Sequence, residues 1–309
     1  MKPSVLLTFD VEDWFQVENL RALFPEPAWD FQPLRVEEAT ERILDALDAA
    51  GAERNGLKGV LRPIRATFFV LGWVARRCPG LVRRIHERGH EVASHGYGHR
   101  LCREQKPESL KADLRAGKAV LEDIVGVPVR GYRAPGFSID ERVLKLVGEA
   151  GYEYDSSYNS FSWNPRYGRL RLHGADRRGI AFRLPGGLAE LPLSNLHGNG
   201  WVLPWAGGGY FRLMPSRCFH WGVRRILNRD GAFVFYLHPW EFDPGQPKVR
   251  QVSKLARFRH YVNLNETARR FHAFLRHFQC CDFLTCSEYL ARAAAAFPER
   301  ACGAGLEKV

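Results

Sequence analysis

The chain has 309 residues, 45% of them hydrophobic, enough for one sizeable α/β core or two small ones. No run of about 18 apolar residues occurs, which argues against a membrane-spanning helix. The formal net charge of +11 favours a polyanionic partner such as an acidic glycan or an anionic membrane surface, but no nucleic-acid module accompanies it and no nucleic-acid partner is expected.

In chain order, residues 4–9 (SVLLTF) read as a buried strand. The apolar stretch before the first acid is too short for a signal-peptide core, so this segment is expected to be a strand rather than a leader. Val36, Ala39, Ile43, Leu47 and Ala50 recur at helical spacing over 35–50, with Gly51 as the expected stop and 51–63 as an exposed loop. A strand at 65–72, a helix over 74–88, a strand at 90–95, a helix over 107–125, a strand at 129–135 and a helix over 140–150 follow, with YEYDSS after them. Strands alternating with helices imply a parallel sheet or barrel, whose strand C-terminal ends carry the chemistry.

From about 155 to 215 the pattern weakens into Pro-, Gly- and aromatic-rich loops with short strands. GAFVFYLHPWEF then gives a strong strand ending in His238. Helices are expected over 263–278, with Ala268, Phe271, Leu275 and Phe278 inward, and over 285–297, capped by Ser287. Residues 1–297 are expected to form a single domain and 298–309 a disordered tail. The seven cysteines form no CxxC pair; they read as small buried hydrophobes in a reducing compartment, and a cytoplasmic or peripheral inner-membrane location is expected.

Three groups fall at or just after strand ends: the carboxylates of FDVED, the histidines of SHGYGH, and Arg133 of YRAPG. His95 and His99, with a carboxylate from another strand, would make a three-ligand metal site that leaves a position open for water or substrate. Gly96 and Gly98 permit an irregular turn between them. Asp10, Glu12 and Asp13 supply candidates for both a ligand and a general base, which Arg133 could hold ionised. His238 is a candidate general acid. His86, His90 and His260 lack such company and read as ordinary surface or core residues.

These residues resemble the polysaccharide deacetylases of the NodB-homology group, carbohydrate esterase family 4. The likeness runs from TFDVEDWFQV through ATFFVLGWVA, GHEVASHGYGH and VRGYRAPGFSI to GGGYFRLMP, FYLHPWEFDPGQP and RFRHYVNLNET. The later segments, within about 205–297, are similar to the branch linked to exosortase-associated exopolysaccharide loci. The resemblance implies a distorted (β/α) barrel with extra loops and C-terminal helices. It implies Asp10 as general base oriented by Arg133, His238 as general acid, and His95 and His99 as ligands of one divalent ion, zinc by preference.

The third ligand is open between Asp13 and Glu12: strand alternation sends residues 10 and 12 to the same side, whereas aspartate is the commoner ligand in the family, and Asp13 is preferred on that ground. The implied reaction is hydrolysis of an N-acetyl group on an amino sugar of a polysaccharide or its precursor, with assembly machinery at the membrane as a further partner. Candidate substrate contacts are Trp14, Tyr132, Pro135, Tyr210 and Trp240, with Trp163 and Trp205 as further aromatic faces. The competing readings are a hydrolase of small amides on the same barrel and an inactive glycan-binding subunit.

Overall fold

A computed structural model describes residues 2–56, 63–161, 163, 166–172 and 174–296. The expected tail beyond 297 and the central part of the expected 51–63 loop lie outside the described residues.

Strand β1 (Ser4–Val11) is buried along its whole length. Its alternation divides the core. Val5, Leu7, Phe9 and Val11 face one apolar cluster, while Leu6 joins a second cluster with Phe69, Ala93, Phe137, Leu191 and Val234. A strand buried on both faces is what a parallel sheet covered by helices requires, and each fully buried large side chain contributes about 1.5–3 kcal/mol. Asp10 belongs to the same alternating set as Leu6 and Thr8.

The chain continues through α1 (Val36–Gly56), β2 (Ala66–Val70), α2 (Gly72–Arg77), α3 (Pro79–Glu87), β3 (Glu91–Ser94), α4 (Pro107–Val125), β4 (Gly131–Tyr132), α5 (Glu141–Glu149) and β5 (Tyr154–Asp155). Short strands β6 (Asp176–Arg178), β7 (Ala181–Arg183) and β8 (Ala189–Glu190) follow, then a hairpin of β9 (Asn195–His197) and β10 (Val202–Pro204). The remainder is α6 (Gly208–Leu213), α7 (Ser216–Asp230), β11 (Ala232–Leu237), α8 (Lys254–Tyr261), α9 (Thr267–His277), β12 (Asp282–Phe283) and α10 (Cys286–Ala296).

The main sheet runs β11-β1-β2-β3-β4-β5-β8-β7-β6, with β12 beside β1. It is parallel from β11 to β8 and antiparallel from β8 through β7 to β6. It curls into the expected distorted (β/α) barrel. The register pairs Phe9 with Leu237, Val11 with Val70, Val70 with Ser94 and Ser94 with Tyr132. One rim therefore collects the residues that end or follow these strands: Asp10, Glu12, His95, Arg133 and His238.

Several expectations are corrected. α1 does not stop at Gly51 but runs to Gly56, because a single helical glycine costs only about 1 kcal/mol. The helix expected over 74–88 is two, broken at Cys78 where Pro79 begins α3. Thr285, not Ser287, caps α10: its hydroxyl accepts from Glu288 N at 3.1 Å, and Glu288 returns the bond to Thr285 N at 3.0 Å. Ser287 instead bonds Glu91. Helices α7 and α8 were not anticipated. No helix among the described residues is long and apolar enough to cross a membrane.

Candidate active site

Arg133 follows β4 and is wholly buried. A buried guanidinium must be paired and hydrogen-bonded. Its Nη1 donates to Asp10 Oδ1 and Thr8 Oγ1, each at 2.8 Å, its Nε to Ser156 O at 2.8 Å and its Nη2 to Ser156 Oγ at 3.0 Å. The guanidinium also lies 4.1 Å from the centre of the Phe69 ring. Asp10 is thereby fixed, and its second oxygen, Oδ2, lies 3.9 Å from His238 Nε2.

The turn after β3 carries both histidines. Gly96 takes a φ of +75°, and a Cβ there would meet Asp113 Oδ2 at 2.8 Å. Asp113, on α4, accepts from Tyr97 N and Gly98 N at 2.9 and 3.0 Å, so a carboxylate holds the turn that the two glycines permit. His95 Nδ1 lies 2.8 Å from Arg133 O. As donor to that carbonyl it leaves Nε2 with its lone pair free for a ligand. His99 Nε2 lies 2.6 Å from Glu12 Oε2.

One donor atom from each of Glu12, His95 and His99 lies within 4.8 Å of the others. Glu12 Oε2 is buried, with His99 Nε2 as its near polar neighbour, and Glu12 Oε1 accepts from Trp240 Nε1 at 3.2 Å. Burial opposes the Glu12 charge, but His99, His238 and His95 outweigh it and hold the carboxyl down at about 2. A buried, ionised carboxylate facing two imidazoles fits a divalent cation, and two nitrogens with one oxygen suit zinc.

Of the two carboxylates considered as third ligand, Glu12 and not the preferred Asp13 lies with the histidines. Asp13 Oδ2 accepts from Arg35 N and Val36 N at the start of α1, and Oδ1 accepts from Trp14 N, all at 2.8 or 2.9 Å. Burial pushes its carboxyl up to about 6 against these donors. It anchors α1 and takes no part in the histidine cluster.

His238 follows β11. Its Nδ1 lies 2.9 Å from Glu241 Oε1, and its ring stacks on Trp240 at 5.1 Å. Burial works against its charge. The Glu241 hydrogen bond, with the charges of Glu12, Glu241 and Asp10, overcomes that and raises it to about 9. Glu241 Oε2 is bound in turn by Arg212 Nε at 2.7 Å, and Arg212 donates to the carbonyls of Arg259, His260 and Val262. Gly208 is needed beside this pair, because a Cβ there would lie 2.2 Å from the Glu241 oxygens. Glu241 and Arg212 were missed in the sequence; the available signal was a glutamate three residues after a strand-ending histidine, a capping-box spacing.

The cleft over these groups measures about 190 Å³, and its lining includes Asp10, Glu12, His95, His99, Phe137, Tyr167, Tyr236, His238, Trp240, Arg259 and His260. Of the expected substrate contacts only Trp240 lines it. Trp14 and Tyr132 are buried and have no free face for a sugar: Trp14 packs on Phe24 and bonds Pro33 O, and Tyr132 packs on Tyr152 with its hydroxyl against Cys102. Pro135 and Trp205 are also buried, the latter on Phe219 of α7. Tyr210 is half-buried outside this lining, and Trp163 is exposed beside Phe161. His260, read as an ordinary residue, stacks on Trp240 at 4.3 Å and bonds Gln246 at 2.7 Å.

Fold and site together define a (β/α)-barrel protein in which three donors able to hold a cation lie between a carboxylate and a histidine. Residues 59–154 match the family model for polysaccharide deacetylase, and residues 156–291 match a domain of unknown function, DUF3473. Residues 59–154 thus form a polysaccharide deacetylase domain of the NodB-homology, carbohydrate esterase 4 type. The chain is similar to a peptidoglycan-N-acetylglucosamine deacetylase of Bacillus cereus, 36% identical over 114 residues, which cover 37% of this chain and 47% of that protein. The chain thus aligns with less than half the length of this curated relative.

Among solved structures, a candidate polysaccharide deacetylase from Mycobacterium smegmatis superposes with a TM-score of 0.61 at 23% identity, covering 96% of this chain and 91% of the other. An allantoinase superposes at 0.58 and 15% identity with the same coverage. Both likenesses bear on the fold.

Proposed function

We propose that the protein is a metal-dependent N-deacetylase that removes acetyl groups from amino sugars of a bacterial exopolysaccharide or its precursor and releases acetate, with residues 1–297 acting as one domain. The observation that carries this reading is the convergence on one barrel rim of Glu12, His95 and His99 with Asp10 and His238. The match to the DUF3473 domain and the segments around Arg212, Trp240 and His260 support the exopolysaccharide branch.

Glu12, His95 and His99 would hold the ion. When bound, it supplies a Lewis acid for the acetyl oxygen and lowers the pKa of water. Asp10, locked by Arg133, takes the proton from the attacking water. The water oxygen adds to the acetyl carbon, the C–N bond breaks, and His238 protonates the departing nitrogen, leaving acetate and a free amine. His238 is suited to that step because its raised pKa keeps the imidazolium populated at neutral pH. A cleft of about 190 Å³ is below the usual size of a pocket for a drug-sized ligand. It suits an acetamido group presented from a longer chain.

The test is acetate release from N-acetylated oligosaccharides, with allantoin and other small amides in parallel. The reading expects release from the glycan, abolished by a chelator and by Asp10→Asn. Turnover of small amides alone would establish the small-molecule amidase instead. Undiminished glycan hydrolysis in Asp10→Asn would remove the assigned base.

A further inference from the structure

Between Asp243 and Glu266 the chain carries no carboxylate, but it carries Lys248, Arg250, Lys254, Arg257 and Arg259. All five are exposed, and none makes an ion pair among the described residues. This contrasts with α3 and the residue after it, where Arg84 and Arg88 are bound by Glu37, Glu41, Asp45 and Asp48. A run of like charges without counter-charges repels itself, a feature that an anionic partner relieves.

The same segment exposes apolar side chains. Helix α8 buries His260 and turns Leu255 and Phe258 outward, 64% and 53% exposed. They stand three residues apart and so share one helix face. Leu213, 51% exposed, ends α6, whose neighbouring Arg212 is bonded to the carbonyls of Arg259, His260 and Val262 at the C-terminal end of α8. Lys254 and Arg257, also three apart, flank the apolar pair. Leucine and phenylalanine exposed among unpaired cations are the pattern of an interfacial helix, in which the apolar groups enter the acyl boundary and the cations meet anionic headgroups.

We propose that α8, with Leu213 and the preceding Lys248–Arg250 segment, docks on an anionic lipid bilayer surface. Charge complementarity would also admit an acidic glycan, but a glycan gives Leu213 and Leu255 nothing to bind, whereas a bilayer accounts for both the cations and the leucines. Arg259 and His260 line the catalytic cleft. Docking therefore sets that cleft at the membrane surface, where a glycan held on the bilayer would reach it. The inference does not depend on the deacetylase reading, since the surface is separate from the reacting groups.

The test is co-sedimentation of the whole protein with vesicles of pure phosphatidylcholine and of phosphatidylcholine mixed with phosphatidylglycerol. A soluble polyuronate serves as the competing ligand, and circular dichroism checks that each variant is folded. Binding is expected only to the phosphatidylglycerol vesicles. Lys254→Gln with Arg257→Gln should weaken it roughly thirtyfold, from about 1 kcal/mol per cation at such a surface. Leu255→Ser with Phe258→Ser should weaken it by about tenfold or more without altering acetate release from a soluble oligosaccharide. Equal binding to both vesicle types, binding unaffected by the Leu255/Phe258 change, or binding to the polyuronate alone would each overturn the proposal. A loss of hydrolysis with vesicle binding intact would count against the deacetylase reading and leave this one standing.

Discussion

Replacing Glu241 with Gln keeps the size of the side chain and removes its charge, and the consequence can be worked from the site. Glu241 Oε1 lies 2.9 Å from His238 Nδ1, and this contact is the largest influence raising the imidazole to about 9. An opposite charge at such a distance typically shifts a pKa by about 1–3 units. In the proposed mechanism His238 is the acid, so turnover falls as pH rises through its pKa and the protonated form is lost. The alkaline limb of kcat against pH should therefore move down by about 1–3 units in Glu241→Gln. A divalent ion on Glu12 neutralises one of the carboxylates facing His238 and lowers the limb in both proteins, but it leaves the displacement between them. The assay is acetate release across pH with wild type and variant, each loaded with the same metal. Superimposable alkaline limbs would show that Glu241 does not set the protonation of the group that donates to the amine.

Arg212→Met leaves the Glu241 charge buried without its cation, which should cost about 3–5 kcal/mol of stability and show as a lowered denaturation midpoint. Gly208→Ala places a methyl group against the Glu241 carboxylate; kcat should fall with little change in KM, since the displaced group positions the acid rather than the substrate. Asp13→Ala strands the backbone N–H groups of Trp14, Arg35 and Val36, at about 1–3 kcal/mol for each group that water cannot reach, while the metal content stays that of wild type. Thr285→Ala should cost about 1 kcal/mol at the N-terminus of α10, as expected for loss of a helix cap, and a chemical denaturation curve would register it.

The alternation of strands and helices was legible as far as β5 because each strand is buried on both faces and each helix shows one apolar stripe. His95, Asp10, Arg133 and His238 were legible for the same reason: they end or directly follow such strands. The choice between Glu12 and Asp13 shows what overrides what. Strand alternation already sent residues 10 and 12 to one side, and the structure follows it; the habit of using aspartate gave way because Asp13 is engaged by the start of α1, a contact 22 and 23 residues away that no local pattern records. Most of the expected sugar-binding aromatics lie away from the cleft for the same kind of reason, Trp240 excepted. Trp14 and Tyr132 sit in motif segments, but a motif does not say which side of the backbone meets solvent. Helices α7 and α8 escaped because α7 follows irregular aromatic loops and α8 presents its apolar residues outward, against the rule by which helices are recognised.

The central claim is that Glu12, His95 and His99 hold a divalent ion between Asp10 and His238. Its most direct test is the metal content of purified wild-type protein and of the Glu12→Ala, Asp13→Ala and His95→Ala variants after incubation with zinc and removal of the excess. The account predicts close to one ion per chain in wild type and in Asp13→Ala, and loss of the ion in Glu12→Ala and His95→Ala. Wild-type protein that takes up no metal, or an ion lost with Asp13 and kept without Glu12, would contradict it.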